Sequence, residues 1–341
     1  MAIRSAGRPD IRQVAKKARV AISSVSRVIS GHPDVSPKMR ERVQAAVKAL
    51  GYEPDILAQS LRSGSTRTVG FLIGDISNPL FAEIALGAEL ALHEARHAML
   101  IVNSLGAATD DAAQLRLLGQ RRVDGFLLSL SDETHPETIN QLKSAGKPFV
   151  LIDRELQAIP SAAVLSDHGP GMRAATEHLI GLGHRRIGLI AGGRTVLPTY
   201  ARADALLAAC AAYRGVRAFV EYGTYSAEHG EATAETFLSQ RDPPTALIAG
   251  GNQILAGVLR TIRRRRLRIP DDISLITCDR TPLSEFLEPP LATIERDTRE
   301  LGRRSAQLFI EVLQGAAPRR VALPVRFDPG QSCGPPRDTK S

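Results

Sequence analysis

Tryptophan is missing from this 341-residue chain, and aromatic residues of all kinds reach only 4%, so any core has to be built from aliphatic side chains. Cysteine is scarce as well. Cys210, Cys278 and Cys333 lie far apart, which argues against a disulfide scaffold and against a cysteine-based zinc site. No apolar run approaches the roughly 18–20 residues of a membrane span, and the N-terminus lacks the apolar stretch of a secretory signal. These absences predict a cytoplasmic protein with no membrane partner. What is present is a 43% hydrophobic fraction, enough for sizeable cores, in a chain long enough for two or three domains of roughly 150 residues each.

Acidic residues are few in one place only. Residues 1–67 hold 13 Lys/Arg against five Asp/Glu, while the remaining 31 of each sign balance. The whole net charge of +8 therefore sits in the first fifth of the chain, which points to a polyanion as the partner of a small N-terminal module. A merely solvated basic face is the plainer alternative on charge alone.

That module reads as three short helices with no strand pattern. Asp10-Ile11-Arg12-Gln13 is a capping box, and Ile11, Val14, Ala15 and Ala18 follow at helical spacing. A brief turn at Arg19-Val20-Ala21 leads to a second helix, Ile22 to Ile29, with Val25, Val28 and Ile29 inward. Gly31, Pro33 and Asp34 break it. Ser36-Pro37 opens a third helix that carries Val43, Ala46, Val47 and Leu50 inward and stops at Gly51. Two short helices joined by a tight turn and braced by a third make a helix-turn-helix. The exposed face of the second holds Ile22, Ser23, Ser24, Ser26 and Arg27. Small hydroxyls approach phosphates closely, and an arginine can bond the O6/N7 edge of guanine with two N–H groups.

The stretch from IRQVAKKARVAISSVSRVISGHPDVSPKMRERVQAAVKALGYEPDILAQSLRSG to STRTVGFLI resembles the opening of the lactose/galactose-repressor (LacI/GalR) family of bacterial transcription regulators. The likeness extends to about residue 330. It implies that Ile22 and Ser23 specify bases, that Arg27 contacts a base, and that Ser24 and Ser26 contact phosphates. Tyr52, Ala58 and Leu61 complete the implied DNA-binding set. Pro54–Leu61 matches the family's hinge helix, with Leu61 as an apolar wedge in the minor groove. The implied partners are a double-stranded, palindromic operator, a second copy of the chain, and a small-molecule effector. Three residues depart from the pattern. Arg19 stands where glycine is usual, at a cost of about 1 kcal/mol in a left-handed turn. Ala21 replaces a Ser/Thr cap, and Asp55 replaces the asparagine that opens the hinge.

From Thr68 onward short apolar runs alternate with helical stretches: Val69–Ile73, Leu100–Val102, Gly125–Ser129, Phe149–Ile152, Ala163–Ser166, Ile187–Ala191, Ala218–Glu221, Ala246–Ala249 and Ser274–Thr277. The pattern is that of an α/β protein with doubly wound parallel sheets. The expected organisation is an all-α helix-turn-helix head (1–53), a hinge helix and linker (54–67), a two-lobed domain (68–330) and a tail (331–341). Lobe 1 would take residues 68–162 and 297–318, and lobe 2 residues 163–294 and 320–330. The duplication resembles the periplasmic-binding-protein fold of the repressor family, which implies a ligand in the cleft between the lobes, at the carboxyl ends of the strands. Strand ends and the family pattern nominate Phe81, Asp153, Arg202, Tyr225, Asn252 and Asp279 as effector ligands. Two carboxylates and an arginine suit a polyhydroxyl molecule, since carboxylates accept paired hydroxyl bonds and arginine clamps oxygens. Arg154 and Arg280, if turned inward, would favour a sugar acid or sugar phosphate. Val196 and Pro198 stand where the purine-reading branch of the family has polar contacts, which argues against a purine. The tail after Phe327 has no leucine heptads, so a dimer rather than a tetramer is expected.

Some signals are set aside. His93-Glu94-Ala95-Arg96-His97 matches the H-E-x-x-H zinc-hydrolase motif, but no third ligand follows it. The run Arg263–Arg266 ends a helix, where cations are favoured. Glycines in GLGHRRIGLIAGG miss the dinucleotide spacing. The sequence thus assigns no catalytic residue, no metal and no cofactor. A sugar-binding receptor without a DNA role is the rival reading, disfavoured by the basic head.

Overall fold

Asp10 opens the first helix as its spacing predicts. In the computed structural model, which describes residues 9–29, 32–52, 65–281, 284 and 286–337, its carboxylate accepts from the Gln13 amide at 2.8 Å, and Gln13 accepts back from the Asp10 amide at 3.2 Å. Helix α1 (Ile11–Ala18) then ends in Arg19, a left-handed residue with φ 50°. Arg42, on α3 (Pro37–Leu50), donates to the carbonyls of Ala18 and Arg19 and so places a cation at the negative end of α1. Ser36 caps α3 and Gly51 ends it, both as expected. The head core is Val14, Ala15, Ala18, Val25, Val28, Val35, Val43 and Ala46, with Ile29, Val47 and Leu50 at its margin. The expected hinge helix, Ala58 and Leu61 included, lies outside the described residues.

The larger unit begins at Arg67. Its first lobe runs β1 (Thr68–Ile73), α4 (Pro79–Glu94), β2 (Ala98–Asn103), α5 (Ala108–Gln120), β3 (Gly125–Leu128), α6 (Pro136–Ala145), β4 (Phe149–Ile152) and β5 (Ala162–Asp167). The second follows with α7 (His168–Gly181), β6 (Arg186–Ala191), α8 (Leu197–Ala211), β7 (Arg217–Tyr222), α9 (Ala227–Leu238), β8 (Ala246–Ala249), α10 (Asn252–Arg264), β9 (Ser274–Cys278) and β10 (Ala292–Arg296). Strand orders β2-β1-β3-β4-β5 and β7-β6-β8-β9-β10 are the same doubly wound order met twice. The near-continuous burial of β1, β3, β4, β6, β8 and β9 is what a parallel sheet covered on both faces requires.

The chain then crosses back through α11 (Thr298–Leu313), which packs on α4, β4 and β5. Gly302 permits that approach: a Cβ there would lie 1.9 Å from the Ile84 carbonyl oxygen. The final strand, β11 (Arg320–Asp328), was expected in the second lobe alone. It is shared instead, running parallel to β5 over Arg320–Pro324 and antiparallel to β10 over Val325–Asp328. β5 itself pairs with β4 and completes the first sheet, where sequence had grouped it with the second lobe. β10 went unread because its sequence, ATIER, has one large aliphatic residue and ends in two charges.

The segment expected as a tail is stitched to the second lobe through residue 334. Leu275 donates to Ser332 O at 3.0 Å, and Gln331 donates to Pro290 O at 2.8 Å. Buried His184 donates from Nε2 to Gly334 O at 2.9 Å and accepts at Nδ1 from the Thr245 hydroxyl at 2.8 Å.

Candidate ligand cleft and nucleic-acid interface

On helix α2 (Ile22–Ile29) the 3.6-residue period that buries Val25 and Val28 turns Ile22, Ser23 and Arg27 outward, with Ser24 and Ser26 half-buried beside them. Ile22 is 46% exposed, unusual for an isoleucine with an apolar core available. Ala21 has no side-chain oxygen and offers α2 only its carbonyl, which accepts from Ser24 and Val25. Tyr52 packs half-buried against the head core, its amide on Val47 O. The structure thus brings the α2 residues onto one face and puts Tyr52 at the edge of the core.

In the larger unit a cavity of about 450 Å³ opens at the carboxyl ends of both sheets, within the usual range for small-molecule sites of about 300–1,000 Å³. Phe81, Asp153, Arg202, Tyr225, Asn252 and Asp279 all line it. Asp153 follows β4 and Asp279 follows β9, the fourth strand of each repeat. Both are left-handed, with φ 53° and 69°, and their amides donate to Val164 O and Ile294 O on the adjoining fifth strand. The duplicated backbone therefore delivers two carboxylates to one cleft.

Arg296, at the end of β10, joins them. Its Nε donates to Asp279 Oδ1 at 2.7 Å and Nη2 to Asp279 Oδ2 at 3.2 Å, while Nη1 donates to Asp153 Oδ2 and to the Ser166 hydroxyl. Arg202, on the second turn of α8, donates to Gly250 O at 2.8 Å and to Asp279 Oδ2 at 3.4 Å. His168 holds Asp153 Oδ2 from the other side at 3.1 Å. Burial would raise both carboxyls, but Arg296, with His168 at Asp153 and Arg202 at Asp279, holds them well below the usual carboxylate range. Burial depresses His168 against the opposing pull of Asp153. Arg202 Nε and His168 Nδ1 are buried without a hydrogen-bond partner among the described residues.

Two rims close the cavity across the lobes. On one, Asn252 Nδ2 donates to Asn78 Oδ1 at 2.9 Å and Gln253 Nε2 to Asp75 Oδ2 at 2.7 Å. On the other, Glu133 from the first lobe meets the start of α8. Tyr225 stands over Gly192, where a Cβ would lie 2.2 Å from its ring, and its hydroxyl is 2.8 Å from Thr199 Oγ1. Asn252, nominated as a ligand, spends its amide on the rim.

Arg280 does not face the cleft: it pairs with Glu295 at 3.0 Å and Asp328 at 2.5 Å on the outside of the second lobe. Its neighbour Asp279 is left-handed, and the backbone reverses there, so the next side chain points away. Arg154 does line the cavity but spends Nε and Nη1 on the carbonyls of Leu130 and Asp153. Sequence reasoning missed Arg296, Asp75, Asn78 and Gln253. For Arg296 the available signal was the repeat itself, since Val164 and Ile294 hold matching places in the two repeats and Arg296 then corresponds to Ser166. At the H-E-x-x-H motif α4 ends at Glu94, so His97 falls outside the helix and His93 and His97 do not share its face. Arg264 and Arg265 pair with Glu231 and Glu235 of α9.

A basic helix-turn-helix followed by a duplicated α/β unit around a cleft with paired buried charges is the build of a ligand-responsive, DNA-binding transcriptional regulator. Residues 10–55 match the profile of bacterial regulatory proteins of the lacI family, and residues 176–333 match that of a periplasmic binding protein-like domain. The transcriptional regulator CelR of Thermobifida fusca is 33% identical over 330 residues, covering 93% of this chain and 95% of that protein. The transcriptional repressor PurR of Aliivibrio salmonicida is 30% identical over 303 residues, 88% of this chain and 91% of that one. Among solved structures, the lac repressor dimer bound to operator and an anti-inducer superposes with a TM-score of 0.84 at 26% identity, covering 96% of this chain and all of that one. A CelR–cellobiose complex superposes with a TM-score of 0.72 at 29% identity, covering 95% of this chain and all of that one. The chain belongs to the lacI family of bacterial regulatory proteins.

Proposed function

We propose that this regulator is a sugar-responsive repressor, not an enzyme, that binds a palindromic operator as a homodimer and takes a neutral sugar in the cleft. The observation that carries the effector class is the pairing of charge: buried Arg202 and Arg296 stand against buried Asp153 and Asp279. Arg154 and Asp75, which also line the cavity, offset one another, so the site has no net charge to offer a sugar acid or phosphate, and Arg280 lies outside it. It does offer carboxylate lone pairs and the unpartnered Arg202 Nε, which a hydroxyl can meet from both sides. Tyr225 supplies a flat face for a sugar ring. Val196 and Pro198 line the cavity with apolar surface where a purine would need polar contacts. CelR, crystallised with cellobiose, is the relative whose ligand this chemistry favours.

On the head, Ile22 and Ser23 read bases, Arg27 reads a guanine edge, and Ser24 and Ser26 hold phosphates. Ala58 and Leu61 serve the minor groove. The dimer forms through the large domain, where Leu86 and Leu90 of α4 and Leu100 and Ile101 of the edge strand β2 leave apolar surface exposed. No helix among the described residues is long and apolar enough to cross a membrane, and we place the protein in the cytoplasm with its DNA.

A thermal-shift panel on the full chain tests the effector class, with cellobiose and neutral hexoses, gluconate, sugar phosphates and hypoxanthine. A neutral sugar raises the melting temperature and changes operator affinity, saturating ligand at 100 Kd being worth about 2.7 kcal/mol. Arg202→Ala and Asp279→Ala lose that shift and still bind operator. A response confined to anions or purines overturns the neutral-sugar reading.

A further inference from the structure

Helix α8 begins without a cap of its own. Its N-cap residue is Val196, which makes no side-chain bond to the first turn, and Pro198 follows at once. Ends of this kind normally draw an acceptor from Ser, Thr, Asp or Asn in the N-cap position. Here the acceptor comes across the cleft. Glu133, on the loop between β3 and α6 in the first lobe, accepts the Leu197 amide on Oε1 at 2.7 Å, and its Oε2 lies 3.5 Å from the Tyr200 hydroxyl. Its own amide donates to Thr195 O at 3.1 Å, and the residue is 7% exposed. Arg202 sits five residues into the same helix.

We propose that Glu133 is a positioning residue for effector recognition: by capping α8 from the opposite lobe, it makes the order of that helix's first turn, and with it the placement of Arg202, conditional on the lobes being together. The proposal rests on the reading of the cleft as the effector site. Its physical basis is that a carboxyl oxygen at a helix N-terminus satisfies an amide that the helix itself leaves without an acceptor.

The cap is also sensitive to protons. Burial pushes the Glu133 carboxyl up to about 7, with the Leu197 amide and Arg154 offsetting only part of the effect. Arg154 and Glu155 face it from the segment after β4, Glu155 being paired in turn with Arg320, and Tyr200 faces it from α8. The nearby charged and titratable groups are engaged elsewhere: Asp132 with Thr134, His135 with Thr138, Arg194 over the Tyr222 ring. With the lobes apart Glu133 returns to the ordinary glutamate range near 4.3. The joined state therefore holds the proton more tightly, is favoured as pH falls below about 7, and is weakened as pH rises through it.

Hydrogen exchange of the full chain, without any effector, tests this at the amides of Leu197 and of residues 199–202, Pro198 having none. Corrected for intrinsic exchange, wild-type protection falls about tenfold between roughly pH 6 and pH 8. Glu133→Gln keeps an acceptor for Leu197 and loses the pH dependence. Glu133→Ala loses protection at both pH values while the amides of β1 and α11 keep theirs. Wild-type protection in the Ala variant, or an unchanged pH slope in the Gln variant, overturns the proposal. Because no effector is present, a different effector class leaves the result untouched, so the two readings fail separately.

Discussion

The head and the cleft both work through arginine, and they use its charge in opposite ways. In the first 67 residues 13 bases face five acids, and Arg12, Lys16, Lys17, Arg19, Arg27 and Lys38 are exposed to water. In the cleft, Arg202 and Arg296 are buried, and two buried carboxylates match them. Unbalanced charge in water attracts a polyanion from a distance and releases its counterions on contact. Balanced charge out of water attracts little; it fixes geometry, because each partner would be costly to leave alone. The same side chain is a recruiter in one domain and a brace in the other.

Salt separates the two uses most sharply. If six to ten of the head's cations meet phosphates, raising salt from about 50 to about 200 mM lowers operator affinity by about 10³–10⁵-fold. Binding of a neutral sugar over the same range moves less than about twofold, since the buried groups are little screened. Titrations of the full chain at both salts decide it. A steep salt dependence of sugar binding would make the cleft electrostatic after all, and would dissolve the contrast.

The next largest effect lies at Arg296. Replacing it by Ala leaves Asp153 and Asp279 facing one another with only His168 and a 3.4 Å contact from Arg202 to hold them. Removing one partner of a buried ion pair costs about 3–5 kcal/mol. Urea denaturation of Arg296→Ala should show a loss of that order in the large domain, with the head's operator contacts intact in a gel shift. A loss under about 1 kcal/mol, no more than exposed pairs contribute, would mean that the ion network is a surface feature in solution.

How much of this was legible in sequence follows the same divide. The head could be read nearly residue by residue, because caps and turns are local: Asp10 with Gln13, Ser36 with Pro37, Gly51. Most strands of the large domain could be read too, as short apolar runs. What escaped depends on pairing between distant segments. β10 carries too little apolar signal by itself and exists as a strand because β9 and β11 flank it. Arg296 was hidden with it. Glu133 lies 64 residues from the helix it caps, and no local pattern marks such a bond. Asp153 and Asp279 could be nominated because a carboxylate closing an apolar strand is visible in one dimension. That Arg280 turns away could not, since it follows from a backbone angle.

The smallest effect concerns strain, and it divides the head's affinity from its stability. Arg19 occupies the left-handed turn between α1 and α2 at φ 50°, a conformation that costs a side-chain-bearing residue about 1 kcal/mol relative to glycine. The contact that braces this turn comes from Arg42 to the Arg19 backbone carbonyl at 2.9 Å, so it survives a change of side chain. Arg19→Gly should therefore stabilise the head by about 1 kcal/mol, seen as about fivefold greater hydrogen-exchange protection in α1 and α2 of the full chain, with no change in the large domain. The same substitution removes one of the head's exposed cations. If Arg19 meets a phosphate, operator affinity falls and the salt slope becomes shallower by about one unit, so stability and affinity move in opposite directions. Asp153 and Asp279 hold the same left-handed angle, but there the side chain is buried and paired, so glycine would forfeit the ion network along with the strain. A more stable head with unchanged operator binding would show that Arg19 is neither needed for the fold nor used on DNA. An unchanged or less stable head would show that this turn accommodates its side chain without cost.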